Sequence, residues 1–275
     1  MPVLYKAFPE SKNIERYRYF TGRTPNLISP RTLTERVLRK MLFDRDPRLT
    51  VTSDKLLARD FVRTRLGDDQ SLTRLYGVVR SPAEMKDLSL PDRFVMKPSH
   101  ASGMVKIVAD SASLPKGELE KLAASWLRLN YFDSYQEWAY KDIRPHVLFE
   151  ELLDSGQGIP DDYKMFCFGG EPRFFHLDKD RFGDHRRNYY TMDLRRLPVR
   201  DSRYENFQAE LDVPSNFDRM VEMARRLAAG TDFVRVDLYN VKGRIVFGEL
   251  TSYPGNALFK FEPPEWDLKF GGFWK

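Results

Sequence analysis

An α+β protein with sheets made of hairpins is the fold class the sequence predicts, and three observations predict it. β-rich runs come in pairs joined by short glycine-bearing turns: RFVMK with MVKIVA, YKMFCF with EPRFFHLD, and FVRVDLYN with RIVFGELT. Helical periods stand between these pairs instead of alternating with single strands, so βαβ winding is not expected. The 275 residues are 41% hydrophobic and 13% aromatic, enough to build a core and too much for a disordered chain.

The elements follow in order. The first fifty or so residues are rich in Arg and aromatics; after Ser29-Pro30, Leu33, Val37, Leu38 and Met41 recur at helical spacing. TSDKLLARDFVRTRLG reads as the clearest helix: Thr52 or Ser53 caps it, Leu56, Leu57, Phe61 and Val62 form its apolar stripe, and Gly67 closes it. LYGVV is a short strand. RFVMK and MVKIVA form a hairpin with a mobile tip around Gly103. Residues 116–130 return to helical period, and HVLFEELL is a strand held between Pro145 and the turn-rich DSGQGIPDD. Gly169-Gly170 marks a tight turn inside the next hairpin, a charged mobile stretch runs from Asp178 to about Asp201, residues 215–229 form an amphipathic helix, and a last hairpin follows.

Lys and Arg number 45 against 40 Asp and Glu, a net charge of +5 that suits anionic small ligands and falls short of a nucleic-acid-coating tail. The single Cys167 forbids an internal disulfide and fits a reducing compartment; its apolar setting makes it a packed thiol. No secretory apolar region and no stretch near the ~18 residues of a membrane span is present, so a cytoplasmic location is expected. HExxH, GxSxG and Walker patterns are missing, and the four His show no ligand spacing.

The last hairpin carries the strongest chemistry. Alternation puts Arg235, Asp237 and Tyr239 on one face and Val234, Val236 and Leu238 on the other. With Val241-Lys242-Gly243 as a three-residue loop, Arg235 falls opposite Glu249 and Asp237 opposite Phe247, which brings Glu249 and Thr251 to the polar face. Asp237 and Glu249 could then share a hard cation beside Arg235; a plain Arg235–Glu249 salt bridge with Asp237 solvated is the competing reading.

Other candidates are weaker taken singly. Lys97 ends a strand before SHASGMV, where it could hold phosphate while loop amides and Ser99 or Ser102 close over it, or simply be an exposed strand end. Glu150 and Glu151 end an apolar strand whose backbone could pair with an adenine edge. Asp162 could meet a ribose and Lys164 a phosphate. Asp178-x-Asp180 matches the metal pair of many glycosyltransferases, and Arg181, His185, Arg186 and Arg187 concentrate positive charge able to clamp an anionic substrate.

Taken in order, SDKLLARDFV, FVMKPSHASGMVKIV, VLFEELL, DDYKMFCFGGEPRF, DRFGDHRRNYY and FVRVDLYNVKGRIVFGELTSYPG resemble the ATP-grasp superfamily, specifically the TupA-like branch named for teichuronopeptide biosynthesis, from about Leu42 onward. The resemblance implies two α+β lobes with antiparallel sheets sandwiching ATP: residues 1–52 as a helical lead-in, 53–150 as the lobe of the lysine and phosphate lid, and 151–275 as the lobe of the ribose and Mg2+ site. It implies that Lys97 contacts the α- and β-phosphates, that Ser99, Ser102 and Gly103 belong to the lid, and that Glu150, Glu151, Leu152 and Leu153 are the adenine hinge. Asp162 would take the ribose or Lys164 a phosphate. Asp237 and Glu249 would ligate Mg2+, and Arg235, helped by Arg181, would face the reacting carboxyl. Thr251 stands where many such ligases carry Asn. The implied reaction joins a carboxylate to an amine through an acyl phosphate, on a uronic acid of a cell-surface polysaccharide or its precursor, in peripheral contact with membrane-bound polysaccharide machinery. Asp178, Asp180, His185, Arg186 and Arg187 would select the substrate. The rival reading is a metal-dependent glycosyltransferase using Asp178 and Asp180.

Overall fold

Thr32 accepts from the Glu35 amide while Glu35 reaches back to the Thr32 amide, a reciprocal cap that starts a helix at Leu33. The computed structural model of the chain describes residues 11–156 and 158–275; the first ten residues of the expected lead-in lie outside them. That lead-in forms α1 (Ser11–Thr21), α2 (Leu33–Phe43) and α3 (Arg48–Ser53), then α4 (Leu57–Leu66). The helix expected to start from a Thr52 or Ser53 cap begins only at Leu57, because Thr52 and Ser53 end α3 and Asp54–Leu56 break the run; the buried stripe of α4 is Ala58, Val62 and Leu66, and Leu57 is exposed. Gly67 closes α4 in the left-handed conformation, as expected.

Strands β1 (Leu75–Val79), β2 (Phe94–Pro98), β3 (Lys106–Val108) and β4 (Val147–Glu150) make an antiparallel sheet in the order β1-β4-β2-β3. Phe94, Met96, Val147 and Phe149 face a core closed by Ala123 and Trp126 of α5 (Glu118–Leu127). A short helix, α6 (Tyr131–Tyr135), follows before β4. A second antiparallel sheet, in the order β10-β9-β5-β6-β7, contains β5 (Asp162–Phe168), β6 (Glu171–Lys179), β7 (Arg186–Thr191), β9 (Phe233–Val241) and β10 (Arg244–Thr251). Two-residue strands β8 (Arg200–Asp201) and β11 (Phe261–Glu262) pair apart from it, α7 (Phe217–Ala228) precedes β9, and α8 (Glu265–Gly271) ends the fold. The stretch expected to be mobile from Asp178 onward instead supplies β7, whose Asn188, Tyr189 and Tyr190 are buried because hydrogen bonding to β6 lets the aromatic rings enter both cores.

Each face of the large sheet has its own cover. Met165, Cys167, Phe175, Leu177, Val234 and Val236 pack under α4 and α7. On the opposite face, Phe166, Phe168, Phe174 and Phe233 stack with residues of α2 and the C-terminal Phe270 and Trp274. Every central strand changes character along this second face: Phe168-Phe166 gives way to Lys164-Asp162, Phe174 to His176-Asp178, and Phe233 to Arg235-Asp237. The apolar half is core, and the polar half looks onto a cleft toward the small sheet.

The last hairpin departs from the expected register. Val241 pairs with Arg244, so the turn is the two-residue Lys242-Gly243, with φ of 52° and 89° as a mirror-image hairpin turn requires. Continued regularly, that register would put Glu249 opposite Val236 and turn it into the apolar core. A bulge at Gly248 adds one residue, so that Glu249 meets Asp237 and Thr251 meets Arg235. A Cβ at 248 would come within 3.1 Å of the Asp237 carbonyl and the Tyr239 ring, so a side chain there would have to push its neighbours aside and the bulge favours glycine. The shared polar face survives, reached through different neighbours.

Candidate active site

A cleft of about 370 Å³ opens between the sheets, with Lys55, Lys97, Lys164, Arg181, Asp237 and Glu249 among its walls. Its floor is apolar, formed by Val95, Ile107, Leu152, Leu153 and Ile159. Alternation along β2 sends Phe94 and Met96 to the core and Val95 and Lys97 to the cleft. Lys97 Nζ lies 2.6 Å from Glu150, whose other oxygen accepts from Arg59 at 3.0 Å. Glu150 thus aims Lys97, and all four residues of the expected hinge, Glu150, Glu151, Leu152 and Leu153, line the cleft. Glu151 instead bonds Arg244 at 2.9 Å and the Arg74 amide at 3.1 Å, fastening the two sheets together. Gly103 lines the cleft, and Ser102 lines the space adjoining it. Ser99 does not: it is fully buried, its amide bound to the His146 carbonyl and its hydroxyl turned to Arg144.

Lys55 is a cleft residue that the sequence reading assigned no role. Its signal was the SDK triplet, taken as a helix cap. The break between α3 and α4 exposes it to the cleft, its amide donates to the Ser99 carbonyl at 3.1 Å, and its ammonium donates to the Ala101 carbonyl. Burial pushes the Lys55 ammonium down to about 8, with Lys97 adding to the effect against Glu249.

At the centre, three carboxylates interleave with three cations. Asp237 accepts from Arg235 through both oxygens at 2.6 Å and from Lys164 at 2.5 Å. Lys164 also sits 2.6 Å from Asp162, which accepts from Arg181 at 3.1 Å and keeps its second oxygen buried without a partner. Arg235 reaches on to Glu249 at 3.1 Å and to the Thr251 hydroxyl at 3.0 Å. Asp237 is therefore buried and paired, not solvated. Burial pushes it up to about 6 against the pull of Arg235 and Lys164, while Glu249, despite burial, is held well below the carboxylate range by Lys164, Arg235 and Lys55. Asp237 and Glu249 are directly opposed hard-oxygen donors, and Mg2+ commonly takes one or two carboxylates plus phosphate oxygens, so this pair fits the ion. Among the described residues no cluster of three or more acids, His or Cys is arranged to hold a metal unaided.

A second chamber adjoins the cleft, lined by Arg181, His185, Arg187, Arg203 and Tyr204 on one side and Tyr131, Glu137 and Tyr140 on another. Arg187 grips Asp178 with bonds of 2.5 and 2.8 Å, reaches Asp201 at 3.3 Å, and lies over the Tyr204 ring. Arg203 is paired with Asp201 and stacks on Phe259. Of the residues expected to select substrate, Asp178, His185 and Arg187 line this chamber, Asp178 almost wholly buried under its bonds to Arg187. Arg186 does not, because neighbours on a strand face opposite ways; it pairs with Asp184 at 2.7 Å outside. Asp180 turns back onto the Asp184 amide in a left-handed turn. An Asp178–Asp180 metal pair is accordingly not formed. Cys167 is buried, as expected of a packed thiol.

His176 is wholly buried between Phe166 and Tyr189, and neither ring nitrogen has a hydrogen-bond partner. Burial, reinforced by Arg187, holds it well below the usual histidine range, hence neutral. The unfolded chain takes up this proton below pH ~6.5 and the folded one does not, so the residue costs stability as pH falls from there. Comparing denaturation midpoints of the wild type and His176→Gln, we expect their stability difference to change by up to about 1.4 kcal/mol per pH unit between ~6.5 and 5, in favour of the variant. A constant difference would contradict a neutral buried imidazole.

Residues 32–275 match the family described as TupA-like ATPgrasp. Among solved structures the chain is similar to the ATP-grasp ligase PsnB complexed with a minimal precursor, at 14% identity and TM-score 0.43, covering 82% of this chain and 62% of that one. D-alanine–D-alanine ligase from Bacillus anthracis complexed with ATP gives 15% identity, TM-score 0.41 and coverages of 75% and 56%. Phosphoribosylamine–glycine ligase from Thermotoga maritima gives 15%, 0.46, 80% and 55%. The chain thus spans 55–62% of the length of these three proteins. No curated protein matches it. No helix among the described residues is long and apolar enough to cross a membrane.

Proposed function

The chain belongs to the TupA-like ATP-grasp family, and from that premise we propose that it is an ATP- and Mg2+-dependent carboxylate–amine ligase, forming an amide through an acyl phosphate. One observation carries the reading: Lys55, Lys97 and Lys164 converge on one cleft with the Arg235–Asp237–Glu249 cluster at its end. Three ammonium groups suit a triphosphate, and the apolar floor around Leu152 and Leu153 suits a purine. Asp237 and Glu249 would hold Mg2+, which when bound neutralises phosphate charge. Lys97, aimed by Glu150, binds phosphate oxygen, and Ser102 with Gly103 closes over it. Lys164 and Arg235 place positive charge where the carboxylate must approach, and Arg181 adds a cation on the same side. No side-chain nucleophile is needed.

The substrate we assign is a uronic acid of a cell-surface polysaccharide or its precursor, joined to an amino acid or another amine. The cationic wall of Arg181, His185 and Arg187 in the second chamber and the TupA-like membership support it. The assay measures ADP and phosphate from ATP, uronate and amino-acid mixtures. Product should require both co-substrates; release of a nucleoside diphosphate from a sugar nucleotide would overturn the reading. In the same assay Lys55→Met should raise the ATP concentration for half-maximal turnover about 10- to 100-fold, the scale of one lost hydrogen bond to a charged group. An unchanged value would remove Lys55 from the nucleotide site.

A further inference from the structure

The second chamber has one wall that the reaction described so far does not use. Glu137 lies just after α6, is only 5% exposed, and lines the chamber together with Tyr131 and Tyr140. Its carboxylate has a single hydrogen bond, a long 3.5 Å one from the Tyr131 hydroxyl. Among the described residues no Lys, Arg or His forms an ion pair with it, whereas Asp162, Asp178, Asp201, Asp237 and Glu249 each have at least one. An unpaired buried carboxylate is costly unless something completes it. What faces it across the chamber is cationic and already neutralised by those acids, so the vacant electrostatic role at Glu137 is for a small cation brought in by a ligand.

We propose that Glu137 receives the ammonium group of the amine substrate and accepts its proton, with the Tyr131 and Tyr140 rings forming the sides of that subsite. The inference rests on the ligase reading and assigns the half of the substrate which that reading left without a residue. The ammonium N–H bond breaks with its electron pair left on nitrogen and its proton on Glu137. That lone pair forms the C–N bond as the acyl C–O bond breaks, phosphate leaves with the electron pair, and nitrogen passes its second proton to that phosphate. Burial pushes the Glu137 carboxyl up to about 8, with Tyr131 and Lys55 pulling down and Glu249 pushing up, so the carboxylate able to take a proton from an ammonium is the majority form only above about pH 8. A chamber that holds both guanidinium groups and an acid with no cationic partner matches a reaction between an acid and a protonated amine.

The test uses the full chain, ATP, a uronate and two nucleophiles. Hydroxylamine is neutral at assay pH and needs no carboxylate to receive it; an amino acid arrives as an ammonium. Hydroxamate formation by the wild type establishes the ligase reading before any variant is read, and its absence fells both proposals. Glu137→Gln should then form hydroxamate within about threefold of wild type while its kcat/KM for the amino acid falls about 10- to 100-fold. Glu137→Asp keeps the charge and should recover part of that loss through a lower amine KM, and it serves as the reporter if the Gln variant does not fold. Equal losses with both nucleophiles, or no loss with either, would overturn the assignment.

Discussion

Asp237→Asn should abolish most ADP-forming turnover, by roughly 100- to 1000-fold, the scale of removing one preorganised electrostatic contact. The substitution keeps shape and removes charge. Arg235 and Lys164 both bond Asp237 within 2.6 Å, and without the anion they face one another in a buried site. Arg235 retains Glu249 and Lys164 retains Asp162, so the stability loss should lie at the low end for a broken buried ion pair, about 3 kcal/mol. At ~2–4 °C per kcal/mol in a chain of this size, the melting midpoint should fall by roughly 6–12 °C. Calorimetry with and without ATP and Mg2+ checks both claims. If the variant turns over ATP at the wild-type rate, the hairpin is not the reaction centre.

Arg187→Ala should have the largest effect on stability alone. Both Asp178 oxygens depend on the guanidinium, and Asp178 lies buried beside a neutral His176. Truncation leaves a charge in the interior, at a cost of about 3–5 kcal/mol and a midpoint drop near 10 °C. Because Arg187, with a hydrogen bond from His185, holds Asp178 well below its usual range despite burial, the wild-type contribution is complete above pH ~4 and vanishes only in stronger acid. The drop should therefore persist unchanged from pH 6 to 8, and the ATP-induced shift should remain, since Arg187 lines the second chamber and not the nucleotide cleft. An unaltered midpoint would mean that the Arg187–Asp178 pair carries no stability. Loss of the ATP-induced shift instead would join the two cavities into one functional unit.

Alternation alone was enough to put Arg235 and Asp237 on one face, because strand side chains obey a period of two wherever the strand lies; Glu249 and Thr251 were brought to that face through a three-residue loop that the chain does not form, and they reach it through the bulge instead. Gly67 and Gly169-Gly170 were equally legible, since their chemistry is local. Partnership was not local. That Lys164 spans Asp162 and Asp237, that Glu150 serves Lys97 and Arg59, and that Ser99 faces inward depend on segments tens of residues apart. The charged run after Asp178 read as a loop because its charges were counted without their partners; once Asp178 and Arg187 neutralise each other, β7 can lie against β6.

What the amino-acid order determined by itself was therefore periodic or short in range: which faces are apolar, where turns fall, and which side chains share a strand face. Only the folded chain decided which charges are buried, because the cost of burying a charge is set by what surrounds it. The bulge at Gly248 shows the difference most sharply. Nothing in the run of side chains required it, yet the extra residue brings Glu249 level with Asp237, and the close approach of the Asp237 backbone and the Tyr239 ring favours glycine there.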